Sequence, residues 1–242
     1  MKKIYFLMMA LAAVFVLSCN KPEDNKKTDK KDNQEKQDEE PDYEPPIKID
    51  GDFSDWQKID ASKMCIAECA PDSPWKGLTT LKVFMDEMYM FVYFEFVDAS
   101  IPDKSDVQCH IYIDADNNPE TGGCNNQFMP GCIEYMGEGH IFRSDAFSSF
   151  DPSLSVWVGE PLAGGWDWEE LIPSGSGLFT GEGSGNAYEM AMMRSGIADL
   201  GDVFGFGMDI QQGWASVGVL PNASIDEYNT TGKAALLVVS EK

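Results

Sequence analysis

The stretch Leu78-Thr-Thr-Leu-Lys-Val-Phe-Met85, Asp86-Glu87, Met88-Tyr-Met-Phe-Val-Tyr-Phe-Glu-Phe-Val97 decides the class of fold. Two runs rich in β-branched and aromatic residues flank a two-residue acidic turn, which is the pattern of a β-hairpin. In the second run Met88, Met90, Val92, Phe94 and Phe96 share one face, while Tyr89, Phe91, Tyr93, Glu95 and Val97 share the other, because side chains alternate across a strand. Both faces are largely apolar, so this is a central strand covered on two sides.

Working outward, Val107-Gln-Cys-His-Ile-Tyr-Ile113 alternates in the same way and predicts another strand. Short strands follow at residues 131–136, 140–143, 154–158, 165–168, 186–193, 203–210, 214–220 and 234–239, with a hairpin turn at Gln211-Gln-Gly213. Only residues 196–200 suggest a short helix, and the Gly- and Ser-rich residues 173–185 read as an insertion. The pattern predicts an all-β fold, an antiparallel β-sandwich of jelly-roll or immunoglobulin-like type. Toward the N-terminus, Ile47-Lys-Ile-Asp-Gly-Asp-Phe-Ser-Asp-Trp56 holds a short strand and a turn at Asp50-Gly51. Phe53 and Trp56 are expected to fold onto the sheet edge, with Trp56 as a core plug.

Immediately after the 107–113 strand comes Asp114-Ala-Asp-Asn-Asn-Pro-Glu-Thr-Gly-Gly123. Pro119 and the glycines turn the chain out of the sheet. Asp114, Asp116 and Asn118 alternate and Glu120 follows, which are the oxygen ligands a hard cation takes. The loop lacks the central glycine and closing glutamate of the helix-loop-helix calcium site, so it is either a separate kind of calcium site or an acidic turn capped by its own Asp and Asn side chains. Glu134 is the more distant carboxylate expected to complete it. Calcium is preferred to zinc because no sulfur or imidazole ligand is placed nearby, Cys124 being the one exception, and to magnesium because a flexible loop suits a strict octahedral shell poorly.

The chain of 242 residues divides at its ends. Residues 1–18 carry Lys2 and Lys3 and then an apolar run too short for a membrane span. The run ends in Val16-Leu-Ser-Cys19, which resembles the lipobox of bacterial lipoproteins. That resemblance implies a signal peptide over 1–18 and lipidation of Cys19, hence a membrane partner through a lipid anchor. Residues 19–46 hold six lysines, ten acidic residues and four prolines, a composition that cannot offset its own ordering entropy and reads as a tether. Its start, Cys19-Asn-Lys-Pro-Glu-Asp24, is similar to the export signal of lipoproteins in Bacteroides-like bacteria, which implies the outer membrane with the protein facing the cell exterior. Residues 47–242 form one domain with ten basic against 31 acidic residues, a net charge of −21. Such a surface repels phosphates, which excludes nucleic acid as a partner.

Within that domain Ile49-Asp-Gly-Asp-Phe-Ser-Asp-Trp56, residues 113–122, Glu134-Tyr135 in residues 131–137, Gly185-Asn-Ala-Tyr-Glu189 and Leu220-Pro221 occur in the order found in family 9 carbohydrate-binding modules and DOMON-like sandwiches, which the chain resembles. The resemblance implies a sandwich in which aromatic side chains clamp a sugar and a cation steadies the acidic loop. The five cysteines beyond Cys19 and the 173–185 insertion depart from that pattern.

Trp166 and Trp168 stand at i and i+2 among Asp167, Glu169 and Glu170, so they share a face if the segment is extended. Flat rings beside hydrogen-bonding groups suit a sugar. Trp214, Arg143, Gln211 and Gln212 are the secondary candidates, each equally readable as packing or as a satisfied surface pair. Of the remaining cysteines, Cys109 faces inward with Val107, Ile111 and Ile113 and is the expected free thiol; Cys65 with Cys69 and Cys124 with Cys132 are candidate disulfides. Two histidines are too few for a histidine zinc site, no nucleophile elbow is present, and acids are so abundant that the pair Glu134 and Glu189 proves little. No catalytic residues are expected. The sequence therefore predicts a non-catalytic surface lipoprotein that binds polysaccharide or oligosaccharide, with calcium as a structural cofactor. The alternative is an adhesion or assembly lipoprotein whose sandwich meets a protein partner.

Overall fold

A computed structural model describes residues 43–240. The expected signal peptide, Cys19 and nearly all of the expected tether lie outside the described residues. A compact unit spans Glu44–Lys242. Its strands are β1 (Cys65–Glu68), β2 (Leu78–Met85), β3 (Tyr89–Phe96), β4 (Val107–Asp114), β5 (Gly123–Cys124), β6 (Cys132–Ile133), β7 (Tyr135–Gly139), β8 (Phe142–Arg143), β9 (Ala146–Phe147), β10 (Ser153–Trp157), β11 (Trp168–Ile172), β12 (Phe179–Ser184), β13 (Ala187–Met193), β14 (Val203–Gln212), β15 (Ala215–Leu220) and β16 (Leu237–Ser240).

Two antiparallel sheets pack face to face as a β-sandwich. The first runs β1-β2-β3-β13-β12; the second runs β11-β10-β7-β4-β14-β15, with β16 pairing the first half of β14. β5 with β6 and β8 with β9 form separate two-stranded ribbons. As the alternation requires, Met90, Val92, Phe94 and Phe96 of β3 meet Val107, Cys109, Ile111 and Ile113 of β4 in the core between the sheets. The other face of β3 is also covered, because Phe91 and Tyr93 pack with Ile47 and Trp56 of the N-terminal segment.

That segment is fastened by a carboxylate. Glu189 of β13 is fully buried; its Oε1 accepts from the backbone N–H groups of Asp50 (3.1 Å) and Gly51 (2.9 Å), and its Oε2 accepts from Trp56 Nε1 (2.9 Å). Trp56 is a core residue as expected, but it lies across the outer face of the first sheet rather than its edge, and its indole has a polar partner.

The structure departs from the sequence reading in several places: residues 47–49 form no strand because they pack over the first sheet, the strand expected at 165–168 runs over Trp168–Ile172, the helix expected at 196–200 is a 3-10 turn at Arg194–Gly196, and two edge strands stand where none was read. Residues 173–185 contain β12, the edge strand of the first sheet, registered along β13 from Phe179 to Ser184. Its glycines are packing sites: a Cβ on Gly181 would come within 2.6 Å of the Tyr188 ring, and one on Gly183 within 2.4 Å of Phe147. β1 (Cys65–Glu68) is the opposite edge strand, and the Cys69 N–H continues its ladder by donating to the Thr79 carbonyl at 2.9 Å, an extended course that does not fit the expected Cys65–Cys69 bridge. Four extended steps separate their Cα atoms by about 13 Å, and a disulfide spans at most about 7 Å. All five described cysteines are thiols, and Cys109 is buried in the core as expected.

Candidate functional site

The outer face of the second sheet carries the candidate site. Register alone assembles its rows. β4 places Gln108, His110, Tyr112 and Asp114 outward, because Val107, Cys109, Ile111 and Ile113 point into the core. Cross-strand pairing then aligns Ser153, Glu138, His110 and Asp209 in one row over β10, β7, β4 and β14. Toward the other end of β4, Trp168 pairs Trp157, the Trp157 N–H donates to the Glu134 carbonyl at 2.8 Å, and Glu134 N–H donates to the Ile113 carbonyl at 3.0 Å. A second row therefore reads Trp168, Trp157, Glu134, Asp114.

At the end of that row three carboxylates converge. Asp114, Asp116 and Glu134 each present an oxygen within 4.8 Å of the others. Asp114 is only 7% exposed. Burial pushes its carboxyl up to about 6, with the Glu134 and Asp116 charges adding to the rise and the Asn118 N–H opposing it. Glu134 is pushed up as well, first by burial. Among the described residues none of the ion pairs involves these three groups. Glu134 Oε1 is buried without a partner, while its Oε2 accepts from the Ala115 N–H at 2.9 Å. Three mutually repelling carboxylates with an open oxygen are a donor set suited to a divalent cation.

Of the expected ligands, the remaining two are spent differently. Asn118 Oδ1 accepts from the Glu120 N–H at 3.1 Å, and the Asn118 N–H donates to both Asp114 Oδ1 and Asp116 Oδ1 at 3.1 Å. Asn118 thus shapes the turn, and Glu120 stands outside the cluster. The loop combines the two sequence readings: its middle is a capped turn, and its ends meet Glu134.

The tryptophans beside it form a pair. Trp157 and Trp168 have ring centroids 5.3 Å apart at 71°, an edge-to-face contact, and both are half-buried. Trp157 lies over Gly123, where a Cβ would come within 2.5 Å of the indole. The glycine at the end of the acidic loop therefore seats the tryptophan. Trp157 Nε1 donates to the Glu160 carbonyl at 3.1 Å.

The other expected sugar contacts do not gather here. Trp166 is 70% exposed in the segment before β11. Trp214 is 71% exposed at the β14–β15 turn, where Gly213 and Trp214 both adopt positive φ, 55° and 64°, the backbone of a tight hairpin turn. Gln212 pairs Val107 at the start of β4, while the tryptophan pair lies level with Asp114 at its end. Seven residues along the strand and four strand spacings across the sheet separate them, about 23 Å by about 19 Å. Gln211 is spent on Asp209, its Nε2 donating to Oδ2 at 2.7 Å, and Gln212 Nε2 donates to the Asp103 carbonyl at 2.5 Å. Arg143 is exposed on β8 and lines a polar groove of about 1150 Å³ with His140, Asp151 and Glu182, which meets the outer-face row at Glu138 and Ser153 and not at the tryptophan pair.

Trp157, His110 and Asp209 are the site residues that sequence reasoning missed. Asp209 is fully buried, accepts from Gln211 and from Ser216 Oγ (2.8 Å), and is pushed up first by burial. His110 Nε2 lies 3.1 Å from Glu138 Oε2. Among the described residues Asp209 Oδ1 and His110 Nδ1 have no hydrogen-bond partner. Alternation along 107–113 left His110 on the face opposite Cys109, and for Asp209 a charged group in an otherwise apolar strand was the available signal; nothing local marked Trp157. Glu134 and Glu189 lie on the outer faces of different sheets and cannot flank one glycosidic bond.

Fold and site define an all-β sandwich domain with surface aromatic clusters and an acidic cluster able to take a divalent cation. No protein-family model matches the chain, and no curated protein matches it.

Proposed function

We propose that this domain binds carbohydrate on the outer face of its second sheet, through Trp157 and Trp168, beside a calcium ion held by Asp114, Asp116 and Glu134. The row in which those two tryptophans continue directly into Glu134 and Asp114 carries this reading. Indole faces and edges pack against the C–H faces of a sugar ring while carboxylates and backbone groups take its hydroxyls. A bound calcium ion would neutralise the cluster and hold the loop that ends at Gly123, on which Trp157 rests. The resemblance to family 9 modules supports the same ligand class. With the lipobox-like Cys19 and the acidic tether, the protein would stand on the outer membrane facing outward, presenting this sheet to polysaccharide.

The test is titration of the protein with a panel of soluble glycans, read by tryptophan fluorescence with and without calcium. Binding to at least one glycan, lost in both Trp157→Ala and Trp168→Ala, is the expected result. A glycan bound with unchanged affinity by both variants rejects this face, and a protein partner captured in place of any glycan favours the adhesion reading. Anchoring is tested separately: Cys19→Ala should release the protein from washed membranes.

A further inference from the structure

We propose that Cys124 and Cys132 are a cross-strand dithiol that closes to a disulfide in the exported protein. The two residues face each other in the β5–β6 register. The next pair outward is joined by a hydrogen bond from the Asn125 N–H to the Gly131 carbonyl at 2.8 Å, which makes Cys124 and Cys132 the non-hydrogen-bonded pair. At such positions the Cα atoms approach to about 4.5 Å with side chains toward one another, inside the range of roughly 4.4–6.8 Å that a disulfide spans. Among the described cysteines, Cys65 and Cys69 are held apart by β1, and Cys109 is sealed in the core.

The environment permits the reaction. Cys124 is exposed and Cys132 buried. Each thiol has one weak commitment, Cys124 Sγ to the Leu162 carbonyl (2.8 Å) and Cys132 Sγ to the Pro119 carbonyl (3.1 Å). Rotation about one side-chain bond releases either. The oxidant is the disulfide of a thiol–disulfide carrier. Cys124, as thiolate, attacks one carrier sulfur and forms a mixed disulfide, releasing the first carrier thiol; Cys132 then attacks Cys124 Sγ and releases the second. Two electrons and two protons pass to the carrier, and one S–S bond replaces another.

The bond would close the excursion through residues 125–131. It would fasten Gly123 beneath Trp157 and Ile133 beside Glu134, so both parts of the candidate face would be tied to one covalent ring. The short loop predicts a melting temperature about 5 °C higher in the oxidised protein.

The experiment takes the full chain, exported into an oxidising compartment and purified without reductant, alkylates it while denatured and maps its peptides. In parallel, reduced folded protein is equilibrated with glutathione buffers of rising disulfide fraction. A linked Cys124–Cys132 peptide, with Cys65, Cys69 and Cys109 alkylated, is expected in both arms. Reduction should lower the melting temperature of the wild type and leave Cys124→Ser and Cys132→Ser unmoved. Alkylation of both cysteines in unreduced protein, glutathione retained on Cys124, or linkage of either to another cysteine would overturn the proposal.

Discussion

The two outer faces of the sandwich bury carboxylates in opposite ways. On the first sheet Glu189 sits under the N-terminal segment with three donors aimed at its two oxygens. On the second sheet Asp114, Asp116 and Glu134 crowd one another, Glu134 Oε1 has no partner, and Asp209 Oδ1 and His110 Nδ1 are likewise unfilled. A buried carboxylate with its oxygens occupied by fixed donors works as a structural clasp. One left facing other carboxylates costs free energy unless something joins it, so the second face is where a ligand belongs.

The largest effect should come from breaking the clasp. Glu189→Ala leaves the buried Trp56 Nε1 and two part-buried backbone N–H groups without their acceptor, and a cost of about 3 kcal/mol is expected, read as a lower urea midpoint. Trp56→Ala should cost a similar amount, about 3–5 kcal/mol, through its lost packing. Equal stability of either variant and the wild type would remove the distinction between the faces.

Next in size is the cation. Calcium at about 100 times its dissociation constant should stabilise the fold by about 2.7 kcal/mol, seen as a rise in melting temperature that chelation reverses. Asp116→Asn should abolish most of that rise, and a melting temperature indifferent to calcium would leave residues 114–123 as a capped turn alone.

The pH dependence sharpens the same contrast. Asp114 is held at about 6, above its ordinary value of 3.8, so between those values the folded chain binds more protons than the unfolded one. Its contribution to calcium-free stability is therefore present at low pH and is lost as pH rises from about 4 through 6. Calcium competes for the deprotonated form, so its affinity should fall as pH drops through about 6. Chelated Asp114→Asn should show a weaker pH dependence than wild type in thermal melts over that window.

The smallest effect separates the tryptophans. Trp157→Ala or Trp168→Ala should weaken the best glycan about tenfold, since an aromatic contact of this kind contributes up to about 1.5 kcal/mol and about 1.4 kcal/mol is a factor of ten. Trp214→Ala, at the far end of the sheet, should leave that affinity within about twofold. Equal losses from Trp214 and Trp157 would mean that the glycan spans the whole face.

Much of this contrast was legible in residue order. Alternation along 88–97 and 107–113 placed the core faces of β3 and β4 correctly, because inward and outward positions follow from a period of two. The same rule placed Asp114 on the outer face, and the oxygen-bearing residues after it marked the turn. Reading failed where glycine and cysteine substitute for the usual strand residues. β12 read as an insertion because its glycines make room for Tyr188 and Phe147, partners that no local pattern announces. β1 looked like a small disulfide loop because two cysteines four apart are ambiguous until the backbone is known to be extended.

By itself the sequence determined the all-β class, the acidity of the domain, the hairpin of β2 with β3, and which side chains of β3 and β4 point inward, since these depend on local spacing and composition. Tertiary structure alone decided which strands are neighbours. Pairing across β11, β10, β7, β4 and β14 brought Trp157 beside Trp168, set Glu134 against Asp114 and sent Trp214 to the other end of the sheet, while the separate β5–β6 ribbon opposed Cys124 to Cys132. Register joins residues tens of positions apart, and it is fixed by the joint burial of both sheets rather than by any one strand.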